Sequence, residues 1–216
     1  MAEKETTSKS NTDFSLTADL ILSAYLQGYF PMADDSGNIG FYTFEPRGMM
    51  PIDHRFKIRR SLRQRLKKLK YEVKIDNDFE QVIRTCSRIG VLPRRDLWLS
   101  GRLIDLYVEL HKMGVAHCVE IWVPDDTAES GSKLIGGLYG LSIGSAFCGE
   151  SMFSREDFGS QIALVELVKR LRERGYTMLD AQMPSDHMLQ FGLFEVNHEE
   201  YMDMLRVALD QQCTFV

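Results

Sequence analysis

The chain has 216 residues, 44% of them apolar and 26% charged, with a formal net charge of −5. That is enough for one large domain, or for a main domain with a small companion, around a sizeable core. No run of 18 apolar residues occurs, which argues against a membrane span. The four cysteines (Cys86, Cys118, Cys148, Cys213) and five histidines are too scattered for metal-ligand spacing, so reduced thiols, no metal and a cytoplasmic location are expected.

Residues 1–12 are polar and charged, carry no apolar signal-peptide core, and read as a disordered tail. Ser15 to Gly28 predicts a first helix, with Leu16, Leu20, Ile21, Ala24 and Tyr25 at helical spacing and Gly28 as its stop. Phe30-Pro31-Met32 reads as a turn, Ile39 to Phe44 as a short aromatic strand, and Glu45 to Gly48 as its end. A basic stretch follows. Nine of the 26 basic residues lie between Arg55 and Lys70, which contains no acidic residue, leaving 17 basic against 31 acidic residues elsewhere. Ile58, Leu62, Leu66 and Leu69 form one apolar stripe there, and Arg59, Arg63, Lys67 and Lys70 repeat the spacing on an adjacent face. Such a helix is either a solvated surface or a phosphate-binding face for a polyanionic partner.

Tyr71 to Ile75 reads as a strand and Asp78 to Arg88 as a helix. Gly90 to Trp98 reads as a loop with Arg94 and Arg95. Ser100 caps the next helix, which ends before Gly114. Ala116 to Val123 is a predicted strand, and Pro124 to Lys133 a polar hairpin loop. Leu134 to Ser154 then holds five glycines (136, 137, 140, 144, 149) and reads as two strands joined at Ile143-Gly144-Ser145. Glycines at this density mark close approach of a ligand or another backbone. One carboxylate, Glu150, stands among Phe147, Met152 and Phe153, the kind of placement that perturbs an acid. Phe158 to Gly175 is the longest predicted helix, followed by a buried strand from Tyr176 that ends in Asp180-Ala181-Gln182. Asp186 to Phe191 reads as a helical turn, and Asn197 caps a last helix to Leu209.

Strand, hairpin, long helix and a strand ending in polar side chains give an α+β (mixed α/β) layer arrangement compatible with N-acetyltransferase-like topology. In that topology a ligand sits where central strands splay apart. The Arg/Gln-x-x-Gly-x-Gly/Ala pyrophosphate loop is missing before the long helix, where the chain reads Ser154-Arg-Glu-Asp-Phe-Gly-Ser160. That counts against an acyl-CoA donor. No P-loop and no G-x-S-x-G is present.

Several ordered segments resemble the leucyl/phenylalanyl-tRNA–protein transferase family, the bacterial N-end-rule enzymes. They are Ala24-Tyr-Leu-Gln-Gly-Tyr-Phe-Pro-Met32, Glu45-Pro-Arg47, Arg59-Arg-Ser-Leu-Arg63, Trp98 and Leu110-His-Lys-Met-Gly-Val-Ala-His117. Gly136-Gly-Leu-Tyr-Gly140, Phe147-Cys-Gly-Glu-Ser-Met-Phe-Ser154 and Leu179-Asp-Ala-Gln182 follow, with His187 and Gly192, so the resemblance covers about Leu16 to Leu209. It implies a small N-terminal domain (13–70, with the basic helix) and an acetyltransferase-like catalytic domain (71–216). It also implies transfer of Leu or Phe, less well Met, from aminoacyl-tRNA to the α-amino group of a protein beginning with Lys or Arg. No cofactor and no membrane are implied, and a monomer is expected. A small-molecule N-acetyltransferase and a non-catalytic tRNA-binding module are the competing readings.

The resemblance assigns Asp180 and Gln182 as the catalytic pair. Strand alternation puts residues two apart on one face, so Gln182 could hold the attacking amine while Asp180 orients it or takes its proton. Glu150, the third candidate, either answers the acceptor's cationic side chain or ties down the terminal adenosine. Leu138, Phe147, Met152, Leu164, Leu171 and Leu179 match the donor side-chain pocket. Phe41, Tyr42 and Trp98 are candidates to stack the adenine; Phe41-Tyr42 stands where the family usually has two tryptophans. Arg59, Arg60, Arg63 and Lys67 are candidates to grip acceptor-stem phosphates without reading sequence.

Overall fold

The computed structural model describes residues 16–34, 36–88 and 99–216. Helix α1 (Ala18–Tyr25) starts where the Thr17 hydroxyl accepts from Leu20 N, and buries Ile21 and Tyr25. Strands β1 (Phe30–Ala33) and β2 (Ile39–Tyr42) then pair antiparallel as a separate two-stranded sheet, Phe30 opposite Tyr42. The expected turn at Phe30-Pro31-Met32 is therefore a strand. Pro31 is tolerated because a two-stranded ribbon has only edges. Strand β3 (Arg47–Met49) is a second departure, since Glu45 to Gly48 reads in the sequence as a strand end.

Helix α2 (Arg60–Lys68) is the basic helix, with Leu62 buried against the body of the protein. Strand β4 (Glu72–Ile75), α3 (Phe79–Cys86), α4 (Gly101–Lys112) and β5 (Ala116–Pro124) follow. The Ser100 side chain caps α4 as anticipated. The glycine-rich stretch forms β6 (Ser132–Ile143) and β7 (Ala146–Ser154). After them come α5 (Gly159–Glu173), β8 (Met178–Gln182), α6 (Asp186–Leu189), β9 (Phe194–Val196) and α7 (His198–Leu209). Asn197 and Glu200 close a capping box at the start of α7. The candidate loop from Gly90 to Trp98 lies outside the described residues.

Seven strands form one mixed sheet in the order β4-β5-β6-β7-β8-β3-β9. All neighbours are antiparallel except β7 and β8. Because β3 lies between β8 and β9, the 13–70 portion contributes a strand to the sheet of the 71–216 portion. Tyr139, Leu141 and Cys148 face a core shared with α1, α3 and α4. Leu138 and Phe147, one residue away, face a second core under α5 and α2, as strand alternation requires.

Two features of the sheet shape the functional region. Strands β7 and β8 pair only over Ala146–Cys148 and Met178–Asp180, and then part. In the β6–β7 ladder, Tyr139 faces Ser151 and Gly140 faces Gly149, so Glu150 is the extra residue of a β-bulge. A bulge re-aims a side chain; this one sits where the parallel pair opens.

Gly136 explains part of the glycine density. It lets α5 seat directly on β6: a Cβ at Gly136 would lie 2.2 Å from the Gly159 carbonyl carbon, and one at Gly159 would lie 2.3 Å from Ile135 O. Backbone meets backbone there, so neither side can yield cheaply. Gly136→Ala should therefore cost at least about 1–3 kcal/mol, the range for overpacking, read as a lower urea midpoint with unchanged slope.

Candidate active site

The mouth of the β7–β8 splay opens into a cleft of about 760 Å³. It takes its walls from both cores. On the α5 side are Met50, Leu138, Met152, Leu164, Leu167, Leu179 and Met188, and on the other are Phe30, Tyr42, Phe44 and Tyr139. The cleft thus passes through the plane of the sheet where the ladder fails. Among the described lining residues the charged side chains are Asp34, Glu150 and Asp180, with no Lys or Arg.

Glu150 and Gln182 meet at the waist of this cleft. Gln182 Nε2 donates to Glu150 Oε1 at 2.7 Å, and Tyr107 Oη donates to Glu150 Oε2 at 2.9 Å. The Tyr25 hydroxyl lies 2.6 Å from that of Tyr107. With the Tyr107 proton given to an ionised Glu150, Tyr25 is the donor in that contact. A chain of four side chains from α1, α4, β7 and β8 results. Burial pushes the Glu150 carboxyl up to about 7, against hydrogen bonds from the tyrosines that favour the charged form. Burial likewise holds the Tyr25 and Tyr107 phenols well above their usual range, so both remain donors.

Asp180 is differently placed. It is fully buried, and Arg47, equally buried, donates to it through Nε (2.9 Å to Oδ1) and Nη2 (2.6 Å to Oδ2). Tyr201 Oη adds a bond at 3.0 Å to Oδ2, and Gln182 N adds one at 2.7 Å to Oδ1. Burial alone would favour a neutral Arg47, but the Asp180 charge more than offsets it and raises the guanidinium pKa. Gln182 itself has φ +59°, a left-handed conformation that non-glycine residues rarely adopt. The Asp180–Gln182 N–H bond closes around that bend. Asp180 thus engages Arg47 while the Gln182 carboxamide reaches Glu150, on the side of β8 away from Leu179 and Ala181.

Of the six pocket candidates, Leu138, Met152, Leu164 and Leu179 line the cleft. Phe147 and Leu171 do not. Both are fully buried; Phe147 sits in the closed part of the β7–β8 pair and stacks on Phe215 at 5.1 Å, and Leu171 lies one turn beyond Leu167. Tyr42 lines the cleft, whereas Phe41 alternates to the outer face and is 37% exposed. Trp98 lies outside the described residues. Arg59, Arg60, Arg63 and Lys67 are all exposed, with no carboxylate within ion-pairing distance among the described residues. Arg59 reaches Gln161 Oε1 at 3.3 Å on α5. Burial and, secondarily, the Arg59 charge lower the pKa of His187, next to the cleft residue Met188. The basic helix therefore starts beside the rim.

Sequence reasoning passes over Arg47, Tyr25, Tyr107 and Tyr201. Three carry a weak trace: Arg47 and Tyr25 lie inside segments singled out above, and Tyr107 falls at inward spacing on α4; Tyr201 carries none. No periodicity marks which buried tyrosine points its hydroxyl at a carboxylate.

The chain matches the model of the leucyl/phenylalanyl-tRNA protein transferase family over residues 49–206, and that of the family's N-terminal domain over residues 14–43. The leucyl/phenylalanyl-tRNA–protein transferase of Akkermansia muciniphila is 44% identical over 198 residues, covering 91% of this chain and 98% of that protein. That of Rubrobacter xylanophilus is 42% identical, covering 90% and 95%. A crystal structure of FemX superposes with a TM-score of 0.51 at 15% identity, over 83% of this chain and 66% of FemX. That likeness concerns the fold, which is of the N-acetyltransferase-like class.

The environment of Glu150 makes its charge a cost to folding. A carboxyl whose pKa is raised on folding stabilises the folded state below its unfolded value of 4.5, and that contribution is lost as pH rises through about 7. Glu150→Gln should therefore raise the melting temperature by a few degrees at about pH 8, with the gain fading toward about pH 5. Scanning calorimetry at both pH values measures the difference.

Proposed function

The chain belongs to the leucyl/phenylalanyl-tRNA protein transferase family, and we propose that it transfers Leu or Phe, less efficiently Met, from charged tRNA to proteins whose first residue is Lys or Arg. Aminoacyl transfer from tRNA to protein is the activity of the family; the donor and acceptor choices are the proposal. The observation that carries it is the Gln182–Glu150 hydrogen bond set in the wall of an apolar cleft. A carboxamide fixed by its own N–H, with its Nε2 already engaged, presents its oxygen to an incoming amine.

The donor is an activated ester, so the enzyme has little covalent work to do. It must hold the amine against the carbonyl and stabilise the oxyanion. The Leu or Phe side chain enters the α5 side of the cleft, among Leu138, Met152, Leu164, Leu167 and Leu179. A methylene in such a pocket is worth only about 1–3 kcal/mol. The flexible thioethers of Met50, Met152 and Met188 adapt to donors of different shape. The aromatic side, with Tyr42 and Phe44, accommodates the terminal adenosine. The all-acidic set of charged groups in the described lining favours an acceptor with a cationic first residue. Arg59, Arg60, Arg63 and Lys67 take the acceptor-stem phosphates. Adding a bulky apolar residue to a basic N-terminus is the step that N-end-rule degradation requires, and the cytoplasm is where charged tRNA is available for it.

Labelled Leu-tRNA mixed with the purified protein and a peptide beginning with Arg should yield labelled peptide. Gln182→Ala should reduce that rate by about 100-fold or more, the range for a lost positioning or proton-handling group. A labelled product from acetyl-CoA instead would favour a small-molecule acetyltransferase. Neutralising Arg60, Arg63 and Lys67 together should weaken tRNA binding and reduce the salt slope by about 2–3, measured by filter binding over a salt series; an unchanged slope removes α2 from the tRNA path.

A further inference from the structure

We propose that Glu150 is the proton carrier of the transfer, and that Asp180 never touches the proton but sets the backbone on which Gln182 stands. The inference rests on the transfer reaction proposed above and concerns which carboxylate serves it.

Asp180 has no room for the role. It is fully buried, and its oxygens accept four bonds from Arg47, Tyr201 and Gln182 N. A proton placed there would have to displace a guanidinium from a fork-to-fork contact, the strongest kind of hydrogen-bonded pair a side chain makes. Glu150 is only partly buried, lines the cleft, and has only neutral donors on it, Tyr107 and Gln182. Each of its oxygens keeps a lone pair for a further donor. The ionisable groups around it come from every neighbouring element: Tyr25 from α1, Tyr107 from α4, Tyr139 from β6, Cys148 from β7, Asp180 from β8 and Arg47 from β3. Arg47, the one cation among these described groups, is engaged by Asp180. Among the described residues Glu150 is thus a carboxylate with no counter-ion of its own, beside the position where an ammonium group must arrive and lose its charge.

The steps balance without a co-reactant. The acceptor's –NH3⁺ gives a proton to the Glu150 carboxylate and becomes –NH2, held by the Gln182 oxygen. Its nitrogen lone pair forms the N–C bond at the ester carbonyl, whose π electrons move to the oxygen. The tetrahedral species collapses, the bond from carbon to the ribose oxygen breaks, and that oxygen takes the proton from Glu150. The nitrogen sheds its second proton to the regenerated carboxylate and from there to water. The products are an amide, a free ribose hydroxyl and one released proton, the proton that the ammonium brought. The carboxyl value of about 7 suits a group that must both take and return a proton near neutrality.

The test is single-turnover transfer of Leu from charged tRNA to an Arg-starting peptide as a function of pH, with tRNA binding measured on each variant. For the unaltered protein the rate should rise through about pH 7. Glu150→Gln should bind tRNA normally, lose about 100-fold or more in rate, and retain only the rise set by the acceptor amine near about 8. Tyr107→Phe removes a bond that favours the charged form, and should shift the rise to higher pH at similar tRNA affinity. Asp180→Asn should lower the rate while leaving a rise governed by Glu150. The assignment is overturned if Glu150→Gln keeps a rate within about tenfold of the unaltered protein with the same pH profile, or if Asp180→Asn alone abolishes the rise near 7. Absence of any transfer by the unaltered protein would instead reject the function proposed above.

Discussion

The buried ion pair between Arg47 and Asp180 is the contact on which the site's geometry depends. Two charges removed from water cost several kcal/mol each unless nearly every donor and acceptor is met. Here they are met from four parts of the chain. Asp180 on β8 takes both prongs of the guanidinium, Gly28 at the end of the first helix gives its carbonyl at 3.3 Å, and Tyr201 on α7 adds its hydroxyl. The guanidinium also lies over the rings of Phe30 and Tyr201, 4.9 and 4.5 Å from their centroids. As a source of net stability such a pair is weak, because a well-packed apolar substitute can do as well. Its consequence is positional. It ties β3 and the α1–β1 turn to β8, and it fixes Asp180, whose Oδ1 holds the left-handed bend at Gln182. A strained residue of this kind persists only where its surroundings over-determine it.

Two carboxylates close to one another have been given opposite surroundings. Asp180 sits against a cation, with both its oxygens taken by its partners; Glu150 is desolvated, meets only neutral hydrogen-bond donors among the described residues and opens to the cleft. Separating the environments of paired acids is how a site divides their roles. The fold achieves the separation with one extra residue. Gly149 faces Gly140 and Ser151 faces Tyr139, so Glu150 is left unpaired between them, with its side chain across the β7–β8 gap on Gln182. The bulge and the splay are therefore one device: the first aims the acid, the second leaves it space.

Legibility follows length and periodicity. The caps at Ser100 and Asn197, the long helix α5 and the β6–β7 hairpin are all readable, because each extends over enough residues for a period or a capping pattern to register. Strands β1, β3 and β9, at three or four residues, carry no period, and the partners of β3 lie far away in sequence. Asp180 and Gln182 fall on the side away from Leu179 and Ala181, which pack in the α5 core, as alternation predicts; the left-handed backbone of Gln182, φ +59°, is what no period marks. Phe147 and Leu171 are indistinguishable from pocket-lining residues in the sequence, since core and pocket use the same apolar side chains. Only the point where β7 leaves β8 decides between them, and that point is set by tertiary pairing.

The arrangement also divides the work of recognition. An exposed basic helix that meets phosphates gains affinity without reading sequence, so α2 cannot by itself tell one charged tRNA from another. Discrimination on the proposed reading must then come from the cleft, whose α5 side is floored by Leu and Met rather than by polar groups. Such walls can exclude by shape but have no buried donor or acceptor to leave unpaired, which is the means by which sites reach large discrimination factors. Breadth among apolar donors unbranched at Cβ is, on that reading, a consequence of how the cleft is built. On the same proposal the polar demands of the reaction fall at its waist instead, where Glu150 and Gln182 would face whichever amine arrives, and where the acidic lining would weight the choice toward a positively charged neighbour.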